Sequence, residues 1–325
     1  MVVVESEKTA APTLCEMQDG EGVKRRRVEE DKTSNTTKLS EVFQGYAVDN
    51  LYHFGLDSTD PMLKEKFGKI ELVCMMGSEG RAEALAQMLA EGGAAEKGAK
   101  VENLSKSDRC ALFAVGKIAV ATHGMGNPSL LIFLHEITKL FHHAGADFKK
   151  LRFLRVGTAG GIGVPAGTVC VADSAMDAGC SWGMEYAILG EKRRFPAVSD
   201  EGMREELGEC PVAPSKIGHV MTTDDYYEGQ GRVDGALATA YGEPEQQKFL
   251  QKLEQQGVVA MEMEANGFLS FFQRMQLPAA VIAVALLDRL KGDQHAESRD
   301  KIHEYSLRPL TVAVWYAREK MGLFS

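Results

Sequence analysis

Three glycine-bracketed stretches place polar groups where apolar runs stop. MMGSEGR carries Gly77 and Arg81, HGMGNPS carries backbone donors ahead of a helix, and RVGTAGGIG carries Arg155 and Thr158. Amides beside glycine, a helix start and guanidinium groups suit an oxyanion such as phosphate. Each stretch alone has a plainer account, since glycines after a strand commonly make a turn and a single arginine commonly lies on the surface. Arg155 resists that account. It interrupts FLRVG, and a charge between Leu and Val in a buried strand is costly unless an anion meets it.

Two further stretches offer chemistry. In AMEMEANGF, Glu262 and Glu264 follow a Val-Val-Ala strand and lead into a helix. They share one face if the strand runs through them and separate if it ends between them. A carboxylate here can accept from two sugar hydroxyls; an acid favoured by the helix dipole fits the position equally well. DDYYEGQGRVDG, from Asp224 to Gly235, sets Gln230 and Arg232 between glycines and beside Tyr226 and Tyr227. Alone it fits an exposed turn as well as a binding loop.

Several chemistries fall away. HEITK at His135 has Lys139 where a zinc protease needs a second histidine, and no Cys/His set has metal-ligand spacing, so no metal is expected. GTAGGIG has neither dinucleotide spacing nor a Walker Lys-Ser/Thr. Ser129 lacks the glycine elbow of a serine hydrolase.

Positioning these groups takes strands that alternate with helices. IELVCMM, KIAVAT, RFLRVG, GTVCVADSAM, SKIGHVMTT, VVAMEME and AAVIAVALLD read as strands. EGRAEALAQMLAEGG, PSLLIFLHEITKLFHHAG, PEQQKFLQKLEQQG, EANGFLSFFQRM and the stretch from His303 to Gly322 read as helices, the second opened by Pro128. Strands apolar on both faces imply an α/β/α sandwich, a sheet covered on both sides. In such sheets ligands collect at the carboxyl ends of strands, where the polar groups above fall.

The chain of 325 residues, 44% hydrophobic and 26% charged, fits one main domain with a tail. Residues 1–38 lack an apolar period and are expected to be a disordered tail, leaving 39–325 as the folded domain. Within that tail KRRR, from Lys24 to Arg27, fits a solvated charge run or a nuclear import signal. A net charge of −9 argues against nucleic acid and anionic membranes as partners. No apolar run reaches the roughly 18 residues of a membrane span, and the N-terminus lacks secretory order. Six scattered cysteines, Cys15, Cys74, Cys110, Cys170, Cys180 and Cys210, look reduced. A cytoplasmic protein is expected.

Taken in order, GSEGR, HGMGNPS, RVGTAGGIG, DDYYEGQGRVDG, MEMEANGF and LLDRLKGD resemble the eukaryotic-type uridine phosphorylases of the nucleoside phosphorylase superfamily. The resemblance runs from about residue 45 to the C-terminus, and YEGQGR is its most specific motif. It implies an α/β fold with a central mixed, partly barrel-like β-sheet flanked by helices. It also implies reversible phosphorolysis of uridine, with deoxyuridine or thymidine as further candidates, giving uracil and ribose 1-phosphate. No cofactor is implied; inorganic phosphate is the co-substrate.

Carried over position by position, the resemblance assigns phosphate to the Gly77 amide, Arg81, Arg109, Arg155 and Thr158. Ribose falls to Met263, to Glu264 through its 2′- and 3′-hydroxyls, and to His53 supplied by a second subunit, so at least a homodimer is implied. The base falls to Gln230 and Arg232, with Tyr226, Leu286 and Leu287 around it. Arg155, Glu264, Gln230 and Arg232 are the implied catalytic groups. Two positions depart from the family pattern. Asp288 stands where Asn is expected and resembles the general acid of purine phosphorylases, and Tyr226 stands for Phe. Purine phosphorolysis, hydrolysis in place of phosphorolysis, and nucleoside binding without catalysis are the alternatives.

Overall fold

The computed structural model describes residues 39–294 and 296–324. The tail expected over residues 1–38, with Lys24–Arg27 and Cys15, lies outside the described residues.

In chain order the strands are β1 (Asn50–Leu51), β2 (Leu56–Asp57), β3 (Leu72–Met76), β4 (Leu112–Val115), β5 (Ile118–Thr122), β6 (Arg152–Gly161), β7 (Val169–Met176), β8 (Met184–Ile188), β9 (Glu191–Phe195), β10 (Ser215–Thr222), β11 (Val258–Glu262) and β12 (Ala279–Asp288). The helices are α1 (Glu41–Gln44), α2 (Met62–Phe67), α3 (Glu79–Glu91), α4 (Gly126–His143), α5 (Glu201–Gly208), α6 (Glu243–Gln255), α7 (Ala265–Arg274) and α8 (Arg299–Trp315).

Eight strands form one mixed sheet in the order β11-β10-β7-β12-β6-β3-β5-β4, and β11 pairs again with β6. That second pairing closes β6, β12, β7, β10 and β11 into a barrel, while β3, β5 and β4 continue from β6 as an open wing. Closure depends on the glycines of RVGTAGGIG. The sequence suggests that a loop begins soon after Arg155, yet the strand runs on to Gly161, and Gly160 and Gly161 make the antiparallel pairing with Met261 and Ala260. A side chain at Gly161 would come within 2.7–2.9 Å of Val164, Ala285 and the Leu287 carbonyl. Glycine therefore permits the close approach that bends the strand into the barrel.

Helices cover both faces, as apolar strands require. Leu63 and Phe67 of α2, Leu130, Leu134, Ile137 and Phe141 of α4, and Phe268 and Phe272 of α7 pack on one face. Leu85 and Leu89 of α3, Met203 and Leu207 of α5, and Leu310 and Ala313 of α8 pack on the other. A smaller cluster joins Leu250 and Leu253 of α6 to Met221 and Met261 of the barrel. Alternation along the strands sends Phe153 to the α4–α7 face and Leu154 to the other. Arg155 therefore belongs with Phe153, on the side where α7 begins.

Candidate active site

A cavity of about 240 Å³ opens where β3, β5, β6, β11 and β12 end or bend. Its wall includes Gly77 and Arg81 after β3, Gly124 after β5, Arg155 and Thr158 in β6, Met263 and Glu264 after β11, and Leu286 and Leu287 in β12. Tyr226, Gln230 and Arg232 close it from the loop between β10 and α6. Eleven of the thirteen expected site residues thus share one cavity.

One end is a cluster of buried charges. Arg155, 4% exposed, lies between two carboxylates: its Nη1 is 2.9 Å from Glu262 Oε2, and its Nη2 donates to Glu264 Oε2. The strand ends at Glu262, so the two acids do not share a strand face; they converge on Arg155 because the chain turns at Glu264, the residue just before α7. Glu262 also accepts from Thr222 Oγ1 at 2.7 Å and from the Glu264 and Ala265 amides. Glu264 accepts from the Gly126 amide at 2.6 Å. Gly126 has φ +80°, a conformation that glycine adopts without strain and that turns this amide toward the carboxylate. Burial opposes ionisation of Glu264, but Arg155 and the Gly126 amide outweigh it and hold the carboxyl below its ordinary range. Arg81, steered by Ser78 Oγ at 2.9 Å, is pushed down by burial and then by the neighbouring Arg155. Two guanidiniums this close are poised for an anion between them.

His123 sits beside this cluster, 1% exposed, with neither ring nitrogen hydrogen-bonded. Burial first, and Arg155 next, push its pKa down to about 3, so the ring is neutral.

The other end is a pinned loop. Three successive main-chain carbonyls are each held by a side chain: Gln230 by Arg289 Nη2 at 2.9 Å, Gly231 by Gln246 Nε2 at 2.7 Å, and Arg232 by Tyr241 Oη at 2.8 Å. Gln230 and Arg232 are 2% and 4% exposed, far from the open turn that their glycines also allow. The Arg232 guanidinium lies 4.3 Å over the half-exposed Tyr226 ring, a cation–π contact. With a buried cluster of guanidiniums and carboxylates, and beside it an amide, a guanidinium on an aromatic face and two leucines, the lining suits a ligand that combines an anionic group with a flat polar ring.

A family model described as the phosphorylase superfamily matches residues 71–311. The chain belongs to the phosphorylase superfamily. Among individual superfamily proteins, it is 39% identical over 281 residues to a uridine and thymidine phosphorylase of Caenorhabditis elegans, covering 85% of this chain and 92% of that one. It is 32% identical over 284 residues to a protein of Schistosoma mansoni named inactive uridine phosphorylase B, covering 85% and 93%. Its fold matches the crystal structure of a Schistosoma mansoni uridine phosphorylase in complex with uracil, with a TM-score of 0.82 and 34% identity over 88% of this chain and 100% of that one.

Two expected site residues of this superfamily member lie off the cavity. Arg109 is exposed on a loop whose Ser105 hydroxyl and Lys106 amide both donate to the Phe54 carbonyl. That ties Arg109 to the segment bearing His53. His53 is itself chelated by Glu136 of α4: its amide donates to Oε2 at 2.8 Å and its Nδ1 lies 2.6 Å from Oε1. The tautomer in which Nδ1 donates to this carboxylate leaves Nε2 as the ring's acceptor.

Asp288, the departure from the family pattern, is absent from the cavity wall. Its Oδ1 accepts from the Gly163 and Leu290 amides, both at 3.2 Å, and its Oδ2 is 3.2 Å from Lys291 Nζ. It caps a turn and touches no base site.

Sequence reasoning missed His123, Glu136 and Arg289. Arg289 directly follows a ten-residue apolar strand and is fully buried. That position was its readable signal, much as Arg155 stood out inside FLRVG.

Proposed function

We propose that this chain is a uridine phosphorylase, a pentosyltransferase that cleaves uridine with inorganic phosphate to uracil and ribose 1-phosphate, reversibly. The observation that carries the reading is that one cavity is lined at once by Arg81 and Arg155, by Met263 and Glu264, and by Gln230 and Arg232. Phosphate occupies the arginine end, ribose lies over Met263 with its hydroxyls on Glu264, and uracil meets Gln230 and Arg232. The glycosidic bond breaks with cationic character on the sugar and negative charge on the leaving base. Phosphate is nucleophile and counter-charge to the sugar. Donors from Gln230 and Arg232 to the uracil oxygens stabilise the departing anion, a role worth a few kcal/mol per donor, roughly. Glu264 keeps lone pairs for the sugar hydroxyls even while it accepts from Gly126 and Arg155.

A second subunit is supported by the two expected site residues that lie off the cavity. Arg109 and His53, which sit together off their own cavity, supply a neighbour's phosphate and ribose 5′-hydroxyl in a homodimer. Tyr52, 73% exposed beside His53, and Ile132, 47% exposed one turn before Glu136, give that face apolar area to bury. The working unit is residues 39–325 in the cytoplasm, in keeping with the five free described cysteines.

The purified protein should release uracil from uridine only when phosphate is present, and form ribose 1-phosphate in equal amount. Release at the same rate in phosphate-free buffer would mean hydrolysis, and no release at all would mean a binding protein. Thymidine, deoxyuridine and inosine alongside uridine would define the substrate range.

A further inference from the structure

The loop that carries Gln230 and Arg232 is held by side chains that meet at one residue outside the cavity wall. Arg289, which holds the Gln230 carbonyl, donates its Nε to Asp293 Oδ1. Gln246, which holds the Gly231 carbonyl, also donates to Asp293 Oδ2 at 2.7 Å. The Asp293 carbonyl accepts from the Arg232 guanidinium at 3.3 Å. Next along the chain, Gln294 Nε2 donates to Asp234 Oδ2 at 2.6 Å. A single short segment therefore grips both the backbone and a functional side chain of the base loop.

The Arg289–Asp293 pair is almost wholly removed from water, at 0% and 7% side-chain exposure. Such a pair seldom adds net stability over an apolar replacement, so its presence calls for a positional use. Here that use is visible. Asp293 fixes the two donors on consecutive carbonyls of a loop whose Gly231 turns at φ +66°, and so sets where Gln230 and Arg232 stand.

We propose that Asp293 is a positioning residue for base recognition, acting through Arg289 and Gln246 on the loop from Glu228 to Arg232. This deepens the uridine phosphorylase reading and rests on it. Misplacing donors by about 1 Å can cost on the order of 100-fold in rate. Asp293→Ala should lower kcat/KM for uridine by about 10- to 100-fold while the KM for phosphate stays within about twofold. The loss should be smaller with 5-fluorouridine, because its more acidic base needs less help to leave. In an Arg232→Ala background, Asp293→Ala should cost less than it does alone, the remainder falling on Gln230.

Asp293→Asn guards against an Asp293→Ala protein that fails to fold. Its Oδ1 still accepts from Arg289, but its amide faces the Gln246 donor, so only the Gly231 anchor is released and a loss of several-fold is expected. Hydrogen exchange of the Gly231 and Arg232 amides, bonded to the Glu228 and Tyr227 carbonyls, should quicken in either variant whether or not catalysis is measured. Unchanged exchange would overturn the proposal. So would an equal loss on uridine and 5-fluorouridine, or a loss that adds in full to Arg232→Ala. An active wild type with unaffected variants would sink this inference alone, while a wild type lacking phosphorolysis would sink the functional reading and leave the exchange result to judge the loop.

Discussion

At the base end of the cavity, the protein ties down main-chain carbonyls and leaves the side chains of Gln230 and Arg232 in the wall. At the phosphate and ribose end, the functional side chains are tied to one another: Arg155 to Glu262 and Glu264, and Glu264 to Gly126. The first arrangement fixes the loop backbone by three side-chain hydrogen bonds. The second already pairs Arg155 with Glu264, so on the proposed reading an entering phosphate has to compete with a carboxylate for it. Damage at the base end should therefore appear mainly as lost turnover, and damage at the phosphate end as lost turnover together with lost stability.

Arg155→Met gives that contrast its hardest test. Removing the guanidinium leaves two carboxylates buried without their counter-charge, a change that costs about 3–5 kcal/mol of stability. Turnover should fall by roughly 100- to 1,000-fold, as when a principal charge-stabilising group is lost. Urea denaturation at pH 7 and at pH 5 would measure the stability part. The deficit should shrink at the lower pH, because the unpaired glutamates can then take up protons and become neutral. A variant as stable as the parent at pH 7 would show that the pairs around Arg155 carry no structural weight.

The phosphate end should also respond to pH through His123. Its folded pKa, about 3, lies below the unfolded value near 6.5. Stability gained by keeping it neutral is thus complete above the unfolded value and is lost as pH falls towards 3. The slope approaches about 1.4 kcal/mol per pH unit for one proton. Glu264, also depressed, adds a loss in the same direction at lower pH. His123→Asn should flatten the stability profile between pH 4 and 6 by one proton, and an unchanged slope would show that His123 already titrates normally in the folded protein.

These two ends were not equally legible in the sequence. Arg155 announced itself as a charge inside an apolar strand, and AAVIAVALLD matches the observed strand residue for residue because burial on both faces leaves no competing pattern. The glycines of GTAGG misled, since the rule that glycine ends strands fails where a strand must bend to close a barrel. The pairings of Arg289 with Gln230 and of Glu136 with His53 could not be read because they are long-range: Arg289 lies 59 residues from the carbonyl it holds, and Glu136 lies 83 from His53. Neither period nor spacing can pair residues so far apart. Arg109 entered only through family resemblance, and its place off the cavity is intelligible once a second subunit is considered.

The smallest effect should come from Asp288→Asn, which asks whether the base end extends to this residue. Asn offers the same Oδ1 to the Gly163 and Leu290 amides, so the turn keeps its cap. What is lost is the pairing at 3.2 Å between Asp288, whose side chain is 9% exposed, and the solvated Lys291, whose side chain is 78% exposed, a contact of about 1 kcal/mol at most because the lysine stays in water. Stability should change by no more than about 1 kcal/mol, and the ratio of kcat/KM for uridine to that for inosine should stay within about twofold, a change smaller than 0.5 kcal/mol. A general acid acting at a purine ring would behave otherwise, because an amide cannot deliver the proton and any activity on inosine would collapse while that on uridine held. A large shift in the ratio would therefore put Asp288 at the base and make the pinned loop only part of what selects it. An unchanged ratio would confine selection to Gln230, Arg232 and the residues that hold them.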